Sequence, residues 1–570
     1  MHDDLDVLVI GSGIAGIVSG IEAARNGASV SIACAGPLFG GSSFYPGTWG
    51  LGLIGPESEE DEDDLIATIE EVGCGMASHA LVETFVRGLR PAIAWLEEGL
   101  GVGLKRPSSA ESAREATFIP CFDHKSRMWR GITRDAFEEV ARRHIADLDI
   151  DVLERSELMQ LVRGEDGAIV GAILFDRRSQ TLFAQHAKAI VLCCGGTGGL
   201  FERSLTSRDV LSSAHGIALD AGCDLINIEF MQMMPGLVSP ARGIVFNEKT
   251  FRYAIIDDSN GILPANADEL ADLLETRSGH GPFTCRLGDE AVDMAIDAAG
   301  EHGIAVRFDF PRDDVPEFVQ TFSQWMHDEL GFEPSDELRV AMYAHAANGG
   351  IRIDEHARTG VPGLFACGEV TGGMHGADRI GGLSSANGLV FGRIAGRGAA
   401  ACANEPASRV ARPPRETACR GGAPMIDTGV DARGLPHLHG THKALEAALD
   451  RIRTTGASLD EADAHRITAA MRHAMSSHAM IRRSEEGLSK AIDEIVELQS
   501  EVRRLDARRD GAIPVDASLA RGMRLTSQLG LANAMLRAME KRNTSVGPHY
   551  RVDRGDDSIQ AAHAGDGSHS

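Results

Sequence analysis

The chain has 570 residues, 43% hydrophobic and 24% charged, too many for one core and balanced for two to four globular domains. Its 56 basic and 83 acidic residues give a net charge of −27, which repels nucleic acid and anionic lipid and excludes both as expected partners. A free dicarboxylate is repelled as well, so a carboxylate substrate requires arginines gathered locally in its site.

The first strand-like run, Leu5–Ile10, leads through a glycine turn into a helix and a second strand, in DVLVIGSGIAGIVSGIEAARNGASVSIACA. No basic segment with an apolar stretch precedes it, so no secretory signal is expected. No stretch of about 20 apolar residues free of charge or dense glycine occurs, so no membrane span is expected and the protein reads as cytoplasmic. A Gly/Ser-rich loop, GPLFGGSSFYPGTWGLGLIGP, then meets the acidic run ESEEDEDD, which reads as a solvated helix N-terminus.

Helical patterns continue to Glu98 and recur over Thr133–Ala146, with strand-like runs at Ile150–Leu153 and Ala168–Phe175. A second strand-to-glycine junction is AKAIVLCCGGTGGLF. From about Gly236 to Ala341 the pattern is mixed and the glycine signature is lost, which marks an inserted domain. A third glycine-rich block, GVPGLFACGEVTGGMHGADRIGGLSSANGLVFGRIAG, follows it.

Leu488, Ala491, Ile492, Ile495, Leu498 and Val502 form one apolar stripe at helical spacing, and Thr526–Glu540 forms a second helix. The expected division is 1–235 and 342–405 for a split dinucleotide-binding domain and 236–341 for an inserted cap. Residues 406–425 read as a linker, 426–554 as a helical domain and 555–570 as a disordered tail.

Gly11, Gly13 and Gly16 form G-x-G-x-x-G between a strand and a helix. The first glycine permits the tight turn and the second lets backbone N–H groups approach a pyrophosphate. The third lets helix and strand pack closely, and the helix N-terminus faces the negative charge. The acid that usually ends the second strand and binds a ribose is missing, because Cys34 stands near that position. Glu369, in GLFACGEV, is either a carboxylate for a sugar-like chain or an ordinary loop residue. The backbone of Gly382 to Ser385 opens another helix that could meet a flavin ring. The ten cysteines show no C-x-x-C spacing, so no iron–sulfur or other metal site is expected in this chain. The adjacent pair, Cys193 and Cys194, reads as part of a strand with the two thiols on opposite faces.

These pieces carry a resemblance. VLVIGSGIAG, GGSSFYPGTWG, AKAIVLCCGGTGGLF, HGIALDAGCDLINIEFMQ, HAANGGIRID, GLFACGEVTGGMHGADRIGG, FGRIAG, IRRSEEGL and GPHYRVD occur in order from residue 5 to about 553. In these the chain resembles the fumarate reductase/succinate dehydrogenase flavoprotein family, and within it the L-aspartate oxidase branch most. The resemblance implies an α/β fold: a Rossmann-like FAD-binding domain interrupted by an α+β capping domain, then a C-terminal helical domain. It also implies FAD as cofactor and hydride transfer between flavin N5 and a carbon of a small carboxylic acid.

Carried over, His345 and Arg379 match the substrate-binding histidine and arginine, and Glu369 matches the FAD-binding glutamate. Gly41, Ser42, Ser43, Gly195, Gly196, Ser384 and Ser385 fall in the cofactor loops. Glu248, in FNEKTFRY, matches the acid of the family's T-E segment. Arg286, in CRLGDEAVDMAID, is the nearest residue to its proton-donating arginine.

The departures are as specific. In EFMQMMPG, Met234 and Gly236 replace the family's histidine and threonine, and a methionine cannot donate to a carboxylate. No histidine occurs between Gly36 and Gly55, so FAD is expected to be held non-covalently. For the carboxylate that meets a substrate amine, Asp123 is the only nearby acid, and it could equally pair with Lys125 or Arg127. The resemblance implies L-aspartate oxidase activity, giving iminoaspartate. The alternatives are reduction of an unsaturated (di)carboxylic acid, or service as the flavoprotein component beside an iron–sulfur or other electron-transfer partner.

Overall fold

The computed structural model describes residues 5–45, 51–107, 121–310, 317–333, 336–405, 437–505 and 515–554. The linker and the tail expected from composition lie outside these residues. The fully apolar run Val7–Ile10 (β1) is buried on both faces, which suits a central parallel strand. It is followed by α1 (Ile14–Arg25), β2 (Val30–Cys34), β3 (Asp151–Glu154), β4 (Ala189–Leu192) and β5 (Leu364–Ala366). The strands form one parallel sheet in the order β5-β4-β1-β2-β3. The helix α2 (Leu383–Asn404) packs along α1, and its glycines allow that approach. A Cβ at Gly396 would lie 2.4 Å from the Ser19 carbonyl oxygen.

The inserted segment builds a four-stranded antiparallel sheet in the order Met231–Ser239, Leu338–Ala347, Ile304–Phe308, Ala254–Ile256. The helices Ala267–Arg277, Glu290–Ala298 and Glu317–Leu330 complete it. The expected crossings at 235/236 and 341/342 fall inside the first two strands, which pair with each other. Entry to and exit from the cap are thus one antiparallel ribbon. A third sheet, Ser156–Arg163, Ile169–Asp176 and Thr181–His186, packs against the helix His437–Thr455.

The C-terminal helices include Glu461–His478, Glu485–Arg504 and Val515–Lys541. In Glu485–Arg504 the buried set is the six-residue stripe read from the sequence. Those side chains share one apolar core with the cap: Met231, Phe283, Val292 and Leu338 join Ile467, Met475, Leu488 and Leu531. The sheet, α1 and α2 have a separate core. No helix among the described residues is long and apolar enough to cross a membrane.

Candidate active site and cofactor cleft

A long cleft runs over the C-terminal ends of β1, β2 and β4, where open parallel sheets bind ligands. At its centre the chain turns at Gly11, whose φ is +115° and whose Cβ, if present, would lie 2.2 Å from the Cys193 carbonyl oxygen. A Cβ at Gly16 would lie 2.0 Å from the Gly11 oxygen, so the first and third glycines are required by close packing. The α1 N-terminus opens onto the cleft, and Ile14 N–H donates to Ser43 Oγ at 3.2 Å. Gly13, Gly41, Ser42, Ser43 and Gly195 line the same cleft. Gly16 and Gly196 stand just behind it.

A second helix N-terminus faces in from the other side. Gly382, at φ +80°, turns into α2, and Ser384 and Ser385 of its first turn line the cleft. Glu369 also lines it, and its Oε1 accepts the Ala347 N–H at 3.1 Å. Burial raises the Glu369 carboxyl, while the Ala347 and Gly196 N–H groups and Arg379 oppose that rise. Ser42 Oγ is buried without a partner. Two helix N-termini, a glycine cradle that a Cβ would fill and an unpaired hydroxyl fit a dinucleotide with a central pyrophosphate.

At the cap end of the cleft stands Arg379, 8% exposed. Its Nε donates to Gln232 Oε1 at 3.0 Å and its Nη1 to the Ile380 carbonyl at 3.3 Å. No carboxylate among the described residues makes an ion pair with it. Burial therefore lowers its pKa, with Cys121 and Glu369 opposing. Three nearby nitrogens have no partner: Gln232 Nε2, His345 Nδ1 and His375 Nδ1. Burial and the Arg379 charge push His345 down to about 3 and His375 well below its usual value, so both rings are neutral at pH 7. A desolvated guanidinium without a counter-charge, ringed by unsatisfied nitrogens, is a site built for an anion.

The structure does not bring every candidate into the cleft. His345, Arg379 and Glu369 meet there, while Arg286 and Glu248 do not line it. Arg286 Nε donates to Asp378 Oδ2 at 2.9 Å, and Thr284 Oγ1 donates to the same oxygen at 2.7 Å. Burial alone would lower the Arg286 guanidinium, and Asp378 more than offsets this. Glu248 opens the short helical turn Glu248–Tyr253 and borders Gly281, next to Met234 and Cys121. Asp123 pairs with Arg127 at 2.7 Å, the second of the two readings of that acid. Arg127 also binds Asp61 and, at 2.6 Å, Asp64. Met234 is 6% exposed and packs with Leu205, Val245, Ala341 and Tyr343.

Sequence reasoning misses Gln232, His375, Asp209 and Ser156–Leu158. The last four line the cleft, and the first two flank Arg379. Gln232 and His375 lie inside motifs shared with the family, whereas Asp209 carries no local signal. Cys193 and Cys194 do not alternate across a strand. They lie past the end of β4, and the Cys193 and Cys367 sulfurs are 3.3 Å apart.

The FAD binding domain family matches residues 6–385, and the fumarate reductase flavoprotein C-terminal family matches residues 468–561. The chain is 27% identical to the flavoprotein-like component of the fumarate reductase (CoM/CoB) of Methanothermobacter marburgensis, over 96% of this chain and 94% of that one. It is 26% identical to the L-aspartate oxidase of Streptomyces coelicolor, over 97% and 89%. In fold it is similar to the E. coli quinol fumarate reductase FrdA, with a TM-score of 0.74, 20% identity, and coverage of 98% and 92%. With the FAD binding domain spanning more than half of its length and this cleft to receive the cofactor, the chain belongs to the FAD-dependent fumarate reductase/succinate dehydrogenase flavoprotein family.

Proposed function

We propose that this enzyme acts on the carbon–carbon bond next to the carboxylate of a small unsaturated acid whose far end is apolar. The observation that carries this is Arg379, buried without a carboxylate partner and ringed by the unpaired nitrogens of Gln232, His345 and His375. Arg379 takes the substrate carboxylate, and Gln232 fixes the guanidinium by accepting from its Nε. His345 and His375 act as neutral hydrogen-bond partners, because a second cation beside Arg379 is disfavoured. FAD, held non-covalently by the two helix N-termini, Ser43 and Glu369, supplies the two-electron chemistry when bound.

Two features favour a C–C bond over a C–N bond. Asp123 is consumed by Arg127 and is not free to meet a substrate amine. Met234 gives the far end of the site an apolar wall, and an unfilled polar subsite there would lose affinity. Glu248, beside Met234 and Gly281, supports the other reading, oxidation of L-aspartate, because it could receive an amine.

The test is spectroscopic, on purified flavoprotein without oxygen, at the oxidised-flavin band near about 450 nm. L-Aspartate should leave the band unchanged. After chemical reduction, monocarboxylic 2-enoates should restore it faster than fumarate does, and Met234→His should reverse that order. Bleaching by L-aspartate would overturn the proposal and establish the oxidase.

A further inference from the structure

Asp209 lies in the loop before the helix Ala214–Asp220, far in sequence from the glycine motifs, yet it lines the cofactor cleft. Its Oδ2 accepts the Gly41 N–H at 2.9 Å. The same oxygen occupies a hollow that only glycines leave, since a Cβ at Gly40 would lie 1.9 Å from it and one at Gly36 2.8 Å. Gly36 is two residues past Cys34, so the carboxylate sits just beyond the end of β2, where the acid expected from the sequence motif is absent. Asp209 Oδ1 is buried and has no partner. A half-satisfied buried carboxylate costs the protein free energy and calls for a reason beyond packing.

The loop it grips carries Ser42 and Ser43 to the α1 N-terminus, where Ser43 Oγ accepts from Ile14 N–H. An unanchored loop of this composition, with glycines at 36, 40 and 41, would sample many conformations and charge the ordering entropy to cofactor binding. We propose that Asp209 is a positioning residue that clamps the 36–43 loop in its FAD-binding form and so sets how tightly the cofactor is retained. This concerns FAD alone, so it stands or falls independently of the substrate.

The experiment is FAD titration of flavin-stripped protein, read by quenching of flavin fluorescence, with the melting temperature of the stripped protein as the folding readout. Asp209→Ala should raise the FAD dissociation constant at least about 10-fold, the loss of one charge-assisted hydrogen bond, with little change in stripped-protein melting. Asp209→Asn keeps an acceptor for Gly41 N–H and should lose clearly less. Gly40→Ala pushes the carboxylate out from the loop side. It should weaken FAD similarly, and the double variant Gly40→Ala/Asp209→Ala should be no worse than either single one. FAD binding within twofold of wild type in Asp209→Ala overturns the proposal, as does full additivity in the double variant. A loss of affinity that tracks stripped-protein melting across the variants overturns it too.

Discussion

His549 couples the stability of this protein to pH with a sign the structure fixes. Its Nδ1 accepts from Arg483 Nη1 at 2.7 Å, and its Nε2 lies 3.1 Å from the Arg542 carbonyl, so the ring is neutral with its proton on Nε2. Burial and the neighbouring charges of Arg483, Arg542 and Arg551 push it down to about 2, against the Arg542 carbonyl that favours the cation. In the unfolded chain a histidine titrates near 6.5. The folded pKa is the depressed one. The stabilisation is therefore complete above about 6.5 and drains away as pH falls through the interval down to about 2. Within it the slope is about 1.4 kcal/mol per pH unit, so about 2 kcal/mol is lost by pH 5.

The assay compares urea unfolding of wild type and His549→Gln at pH 7.5 and pH 5. Burial also lowers His215, to about 4, and His345, to about 3, but both are present in each protein and cancel in the comparison. Glutamine keeps an acceptor and a donor without titrating. At pH 7.5 the variant should be the less stable, and at pH 5 its deficit should have shrunk by about 2 kcal/mol. A deficit that stays constant to within about 0.5 kcal/mol would refute the argument, because it would mean that His549 carries the same charge in both states.

Gly11→Ala must adopt a φ of +115° and place its Cβ 2.2 Å from a backbone oxygen, so the purified protein should retain less than about a tenth of its flavin, read from the visible spectrum. Arg286→Met leaves Asp378 buried without its counter-charge and should cost about 3–5 kcal/mol, read as a lowered melting temperature. Adding Asp378→Asn removes the stranded charge and should recover at least half of that loss. A harmless Arg286→Met would mean that Arg286 does not serve as the strut between cap and FAD domain.

How much could be read in advance depended on the range of the interactions. The G-x-G-x-x-G turn was legible because strand, turn and helix are contiguous and each glycine answers a local steric demand. The Leu488–Val502 stripe was legible because helical periodicity needs no knowledge of what covers it. Arg286 misled, since proximity to a motif in sequence says nothing about the direction of a guanidinium, and here Asp378 claims it. Asp209 was invisible because its meaning lies in hollows left by Gly36 and Gly40, which come together with it only in the folded chain. The neutral state of His345 depends on burial and on the Arg379 charge, and neither is encoded near it.

The common core of the cap and the C-terminal helices has a mechanical consequence. Met231, Phe283 and Leu338 are locked among Met475, Leu488 and Leu531, so the cap cannot swing away alone without tearing apolar contacts from the bundle. Any opening that admits substrate must move cap and bundle as one lever about the paired ribbon Met231–Ser239/Leu338–Ala347. Gln232 and His345 sit near the fulcrum of that lever and travel least. The grip on the carboxylate then stays assembled while the mouth of the site widens.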